Sequence, residues 1–462
     1  MLAALAEPDL ELVRHAADYQ VDGEVGRFRF GTFDLQTPEG RIVFSGTRLL
    51  PPRKGREWYE TSGFKELALL LGATQRSYRK TDDYLNRHRR QLVGGTPLNT
   101  LRDGAELEGM AVLKFLEMES ACVLKEHGFA ENGRPLPEAA VLEEPTSLPP
   151  TLAREKVEEA WREVEQMMQK RGMPESQIQD AARQKEAVYE DPRATVNVHV
   201  DDVGVKEQKE QRGGHDESES PPACPSDGER EPASQGADRR RPMVYTSVAR
   251  IEHAGQGFTL IGDSVLAVLR FVLAFLLSNS LAKRRWLFFT DGQRSLQNTI
   301  VAFFHWHRCM SLVLDWFHLV KKCKEELSLA SKGREVRNRH LKQIIRLLWY
   351  GLVPHAIEYV RAIPEGDIKS RSPLERLVGY FERNRVWIPC YALRRRLGLP
   401  NSSNPVERTN NLVTSNRQKK NGMSWSQAGS LALTALTVVV LNGHTQDWLK
   451  QRTIPFAFRQ AV

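Results

Sequence analysis

The sequence predicts an α/β fold: a mixed sheet flanked by helices, interrupted by an all-helical insertion and preceded by an N-terminal helical region. Three observations lead there. The β-branched, alternating run "ATVNVHVDDVGV" and the paired run "MVYTSVARIEHAGQGFTLIG" read as three strands in hairpin order. Two short apolar strands follow, "RRWLFFTDG" and "MSLVLDWFH", with a helix between them. Nearly everything after that is helical in pattern. Three hairpin-ordered strands, then strand–helix–strand, then helices is the order of a ribonuclease H-like fold.

Composition sets the outer limits. A chain of 462 residues buries a sizeable core and divides into two or three domains. Its 66 Lys and Arg against 58 Asp and Glu give a formal charge of +8, which suits a polyanionic partner without selecting one. The five cysteines, Cys122, Cys224, Cys309, Cys323 and Cys390, are scattered and odd in number, which argues for a reducing compartment rather than a disulfide framework. The opening "MLAALAEPDLELVRHAADY" turns acidic before an apolar core develops, so no secretory signal is read. "VLAVLRFVLAFLL", from Val265, is interrupted by Arg270 and is too short to span a bilayer. The expectation is a soluble, cytoplasmic protein without a membrane partner.

In chain order, residues 1–60 contain one β-ribbon, "GRFRFGTFDL" and "GRIVFSG" about a Pro-Glu-Gly turn. Residues 61–130 open with "FKELALLLGATQRSYRKTDDYLNRHRRQL", a helix, a Gly72 turn and a second helix. Leu67, Leu70 and Leu71 form the inner face of the first, while Arg76, Arg79 and Lys80 stand near the start of the second. That is the layout of a DNA-binding helix-turn-helix; an ordinary helical hairpin with a solvated basic face meets the same pattern. A second short helical pair, with Thr96 and Thr100 as caps, completes this region. Residues 131–194 hold a Pro- and Glu-rich linker and the amphipathic helix "PPTLAREKVEEAWREVEQMMQKRG", a packing or dimer element.

Residues 195–318 carry the first part of the sheet, with a polar, disordered insertion at about 206–240. Residues 319–398 form the helical insertion, 399–450 the closing helices and 451–462 a tail.

Acids stand at informative places in this order. The first strand of such a fold passes the middle of the sheet and the fourth ends beside it. Asp201 (with Asp202 as its rival) in "VHVDDVGV", Asp291 in "FFTDGQ" and Glu407 in "NPVERTN" are therefore the candidates to converge on divalent ions. Hard oxygen ligands suit Mg²⁺, which needs few of them because it keeps waters and substrate phosphate oxygens. Asp315, at the end of the fifth strand, is a rival for the second place. Glu407 also has a plainer reading: Asn404, Pro405 and Glu407 match an N-cap, a first-turn Pro and the third position of a capping box. His305, His307, Cys309, His318 and Cys323 invite a zinc reading, but His-x-His-x-Cys spacing on a helix turns alternate residues apart.

"GLPNSSNPVERTNNLVTSNRQKKNGMSWS" resembles the end of the catalytic domain of bacterial insertion-sequence transposases of the DDE type, ribonuclease H-like and retroviral-integrase-like enzymes. In them a helix-borne Glu is followed by an Arg, a basic position, a Gly-Met pair and a Trp. "WLFFTDGQRSL" and "LVLDWFHLVKK" resemble their second acidic strand and the one after it. The similarity covers about 195–450. One departure is that Ser402, Ser403, Asn404 and Pro405 stand where those enzymes commonly have a Gly-Ser-Gly-like turn, which stiffens the start of the helix.

The resemblance implies that Asp201, Asp291 and Glu407 bind two ions, Mg²⁺ or Mn²⁺. It implies cleavage at terminal inverted repeats, joining of the 3′-hydroxyl to target DNA, and a homodimer or larger synaptic complex on the nucleoid. It places Arg417, Lys419 and Lys420 on the DNA backbone and His318 near the scissile phosphate, where a structural hydrogen bond is the competing role. Trp425 either stacks on an unpaired base or belongs to the core. Two other functions fit the same residues: a nuclease or resolvase without strand transfer, and an inactive, transposase-derived DNA-binding protein.

Overall fold

The computed structural model describes residues 18–21, 24–29, 32–37, 40–45, 48–50, 62–75, 77–88, 98–139, 150–186, 188–208, 243–402, 409–419 and 423–458. The chain divides into two compact units. Unit one comprises Met1–Lys114, Val205–Val244 and Val413–Ile454; unit two comprises Phe115–Gly204, Tyr245–Leu412 and Pro455–Val462.

Unit two is built on a five-stranded mixed sheet flanked by helices. Its strands are β6 (Val196–Lys206), β7 (Met243–His253), β8 (Gln256–Gly262), β9 (Trp286–Thr290) and β10 (Met310–Leu314), in the spatial order β10–β9–β6–β7–β8. β9 is parallel to both β6 and β10, and β7 is antiparallel to β8. The tight β7–β8 turn puts Ala254 at φ 50° and Gly255 at φ 81°, two left-handed residues in succession as a two-residue hairpin of this twist requires. β9 buries all five residues, which is why "WLFFT" reads as an apolar run rather than an alternation.

The flanking helices follow from their caps and apolar faces. Ser264 accepts a hydrogen bond from the Ala267 N–H and starts α6 (Val265–Ser278), whose interior is almost wholly buried. α7 (Arg294–Phe303) makes the crossover from β9 to β10. The insertion consists of α8 (Trp316–Ala330), α9 (Arg334–Trp349), α10 (Val353–Arg361), α11 (Ser372–Asn384) and α12 (Tyr391–Arg396). These share one core with α4 (Arg154–Lys170) and α5 (Glu175–Arg183), through Trp161, Val164 and Met168 of α4 and Ile178 of α5. The amphipathic helix is thus a packing element. The tail is packed as well: the Phe456 carbonyl accepts from the Asn279 amide at 2.8 Å, and the Phe458 ring stands edge-on to Phe275.

Unit one departs from expectation in two places. The expected ribbon about the Pro-Glu-Gly turn is present as β3 (Thr32–Thr37) paired with β4 (Gly40–Ser45), but among the described residues three further strands, β1 (Asp18–Val21), β2 (Glu24–Arg29) and β5 (Arg48–Leu50), make a separate three-stranded sheet. The run "GRFRFGTFDL" therefore divides between two sheets. The expected second helical pair is the single helix α3 (Leu98–Glu126), which continues from unit one into unit two. Gly109 does not break it; the missing side chain admits the Ala432 backbone, whose carbonyl oxygen would lie 2.1 Å from an added Cβ.

The expected helix–turn–helix pair is α1 (Ser62–Thr74) and α2 (Tyr78–His88), joined through Thr81, whose hydroxyl donates to the Leu71 carbonyl. A π-helical segment (Asn411–Lys419), α13 (Gln427–Leu441) and α14 (Thr445–Gln451) close the chain. Among the described residues no single helix is long and apolar enough to cross a membrane.

Candidate active site

The register of the parallel strands brings three aspartates into a row. His199 on β6 pairs with Phe289 on β9 and stacks on its ring, so two residues further along Asp201 stands opposite Asp291. Leu314 on β10 pairs with Thr290, so Asp315 is the next partner of Asp291; its N–H donates to the Thr290 carbonyl at 2.9 Å. Asp291 and Asp315 directly follow the carboxyl ends of parallel β9 and β10, where α/β sheets commonly bind ligands, while Asp201 lies midway along the longer β6.

Their environments separate them. Asp201 is half-buried. Burial, and after it the neighbouring Asp291 carboxylate, push its carboxyl up to about 6 against the opposing pull of His318 and the Asp202 N–H. Its Oδ1 accepts from the Asp202 N–H at 2.9 Å and its Oδ2 from the Asn410 amide at 2.6 Å. Asp291 Oδ1 accepts from the Gln293 N–H at 2.8 Å, and the Asp291 carbonyl accepts from the Tyr380 hydroxyl at 3.0 Å. Gly292 makes that turn at φ 86°, and a Cβ there would lie 2.4 Å from the same hydroxyl, so residue type and backbone are fixed together. Behind the strand end, buried Gln297 bridges the Thr290 hydroxyl and Asn384.

The rivals have other employment. Asp202 points away from Asp201 along the strand, and its Oδ1 accepts from the Ser247 hydroxyl on β7 at 2.5 Å. Asp315 is fully buried and caps α8, accepting the His318 N–H at 2.8 Å, with His318 Nδ1 3.2 Å from the same oxygen. Burial disfavours the charged His318 ring, yet Asp315, Asp291 and Asp201 together outweigh it and raise its pKa. Glu407 lies outside the described residues. Thr409 and Asn410 are helical, and Asn410 follows Glu407 by three positions in the sequence.

Asn410 and Tyr380 were not foreseen from the sequence. The first was detectable, since it stands close after Glu407 in the sequence; nothing local marks the second, which arrives from the helical insertion.

Among the described residues no group of three or more His, Cys, Asp or Glu is placed to hold a metal ion. Two carboxylates with hard oxygens are nevertheless a sufficient protein share for Mg²⁺, which takes one or two plus substrate phosphate, and a cation between two acids relieves the repulsion that, after burial, raises the Asp201 carboxyl. The donor set fits. The zinc-like residues do not gather: His305 bonds the Ala302 carbonyl, and His307, stacked on Trp286, bonds that of Ala282. Cys323 is fully buried, which pushes its thiol up.

The expected DNA contacts divide. Arg79 and Lys80 are exposed on α2, and Lys419 is exposed; Arg76 and Lys420 lie outside the described residues. Arg417 is a correction. It is buried, donates to the Gly72 carbonyl at 3.4 Å and lies 4.7 Å from the Tyr78 ring and 5.5 Å from that of Trp425. Trp425 packs with Val205, Val244 and Leu433, its indole donating to the Gln418 carbonyl, so the core role describes it.

No protein-family model matches the chain, and no curated protein matches it.

Proposed function

We propose that the chain is a DDE-type DNA transposase, which cleaves strands at element ends and joins the 3′-hydroxyl to target DNA. The observation that carries this reading is the proximity of Asp201, on central β6, to Asp291, just past the end of parallel β9: the pairing of the two strands runs to His199 and Phe289, and the Asp291 carboxylate acts on that of Asp201. The sheet order β10–β9–β6–β7–β8, with the first acidic strand central, supports a ribonuclease H-like topology. Glu407, three positions before Asn410 in the sequence, is the third acid of the proposal.

Two divalent ions, when bound, supply the charge that activates the attacking oxygen and stabilises the leaving one. Asp201, Asp291 and Glu407 would hold them. The Asp202 N–H and the Asn410 amide restrict Asp201, while Gln293 and Tyr380 anchor the Asp291 turn. His318, its proton favoured by the surrounding acids, offers a cationic N–H to a phosphate oxygen. Exposed Arg79, Lys80 and Lys419 provide salt-sensitive backbone contacts, and pairing of two ends calls for a homodimer or larger synaptic complex.

The test is a two-plasmid assay with a marker flanked by the DNA that borders the chain's own coding region. Asp291→Ala abolishes excision while end binding persists in a gel shift; retained excision removes Asp291 from the reaction. Hydrolysed ends that are never joined indicate a nuclease instead, and binding without cleavage under Mg²⁺ or Mn²⁺ indicates a DNA-binding protein.

A further inference from the structure

We infer that Asn410 is the positioning residue of this site: it orients the Asp201 carboxylate for the cation and sets the affinity with which the cation is held. The inference rests on the metal-site reading above and adds a residue to it.

The geometry is specific. Asn410 Nδ2 donates to Asp201 Oδ2 at 2.6 Å, slightly shorter than the roughly 2.7–2.9 Å usual for charge-assisted N–H···O bonds. The Asp202 N–H takes Oδ1. Each carboxylate oxygen accepts one protein donor and retains further lone-pair capacity, so the carboxylate can turn only by breaking one of the two bonds. The amide assignment is fixed by chemistry: an ionised carboxylate only accepts, so the NH₂ end must face it.

The other end of the same amide argues against a role as structural glue. Asn410 is 7% exposed, and its Oδ1 is buried without a hydrogen-bond partner. A buried asparagine retained for stability is normally satisfied at both ends. Here the described hydrogen bond of the side chain goes to the acid that the Asp291 carboxylate already crowds. A group with one bond made, to one carboxylate, fits the outer partners that aim metal ligands; changing such partners weakens metal affinity by roughly 10–100-fold.

The experiment measures Mn²⁺ binding to the full chain by electron paramagnetic resonance, without DNA, for wild type, Asn410→Ala, the near-isosteric Asn410→Leu and Ser247→Ala. Ser247→Ala removes the hydrogen bond to Asp202 on the same strand and controls for local disturbance. Expected are a Kd for Mn²⁺ raised about 10–100-fold in both Asn410 variants, unchanged affinity in Ser247→Ala, and melting temperatures showing each variant folded. Wild-type affinity in whichever Asn410 variant folds overturns the inference, as does an equal loss in Ser247→Ala. A wild-type chain that binds Mn²⁺ but cuts no DNA defeats the transposase reading alone, because the Asn410 comparison is still read from affinity. A wild-type chain that binds no Mn²⁺ overturns both.

Discussion

Arg285 and Asp291 bracket the same five-residue strand, and the charges at its two ends are handled in opposite ways. At the amino end Arg285 meets Glu190 at 2.6 Å and Glu186 at 3.9 Å, and the deeply buried Arg394 stands 4.0 Å from Glu186 and donates to the Pro400 carbonyl. Opposite signs are matched there, as burial demands. At the carboxyl end, acids face acids: Asp201 and Asp291 receive neutral donors, and the carboxyl of Asp201 is raised. Balanced charge in a core is explained by the fold. A like-charge pair beside a glycine turn and a tyrosine that fix its backbone costs stability, and under the proposed function a cation relieves it.

The contrast can be broken at either end. The largest effect belongs to the acids: Asp291→Asn lowers metal-dependent cleavage by about 10³-fold or more, since even outer partners of a metal are worth roughly 10–100-fold, while Arg285→Ala leaves the metal dependence of cleavage intact. Single-turnover rates across a Mn²⁺ titration distinguish the two. In stability the order reverses. Arg285→Ala strands the buried Glu190 and lowers unfolding free energy by about 1–3 kcal/mol, measurable by urea denaturation.

The pH dependence sharpens the comparison further. In the folded chain Asp201 holds its proton up to about 6, against an ordinary 3.8. Between those values the folded state binds more protons than the unfolded one, so stability falls as pH rises through the window, by on the order of 3 kcal/mol. His318 acts in the same direction: its raised pKa contributes stability that is complete below its ordinary 6.5 and is lost as pH climbs past the folded value. Melting in EDTA from pH 4 to 8 should show this decline, and Asp201→Asn should flatten the acid part of it. Added Mg²⁺ should restore stability mainly above pH 6, where the acid is ionised.

Much of this site was legible in the sequence because it depends on strand order and on residues within or just past strands. "VHVDD" and "FFTDG" announce acids where periodicity announces strands, and pairing two parallel strands does the rest. What was not legible depends on distant partners. Arg417 reads as a solvated cation among its basic neighbours, and only the distant Gly72 and Tyr78, with Trp425, turn it inward. The second helical pair expected after Thr96 is one long helix, in which the missing side chain of Gly109 admits the Ala432 backbone. Tyr380 reaches the Asp291 turn from the insertion, and Asn410 finds Asp201 across 209 positions. The division of the run "GRFRFGTFDL" between two sheets is likewise a matter of pairing, which alternation alone does not choose.

The most direct measurement is anomalous diffraction from crystals of the chain soaked in Mn²⁺. The account predicts a peak shared by the carboxylates of Asp201 and Asp291, lost in Asp291→Asn. Saturating Mn²⁺ with no density at these two acids would contradict it and return them to the fold as a strained pair without a cation to hold.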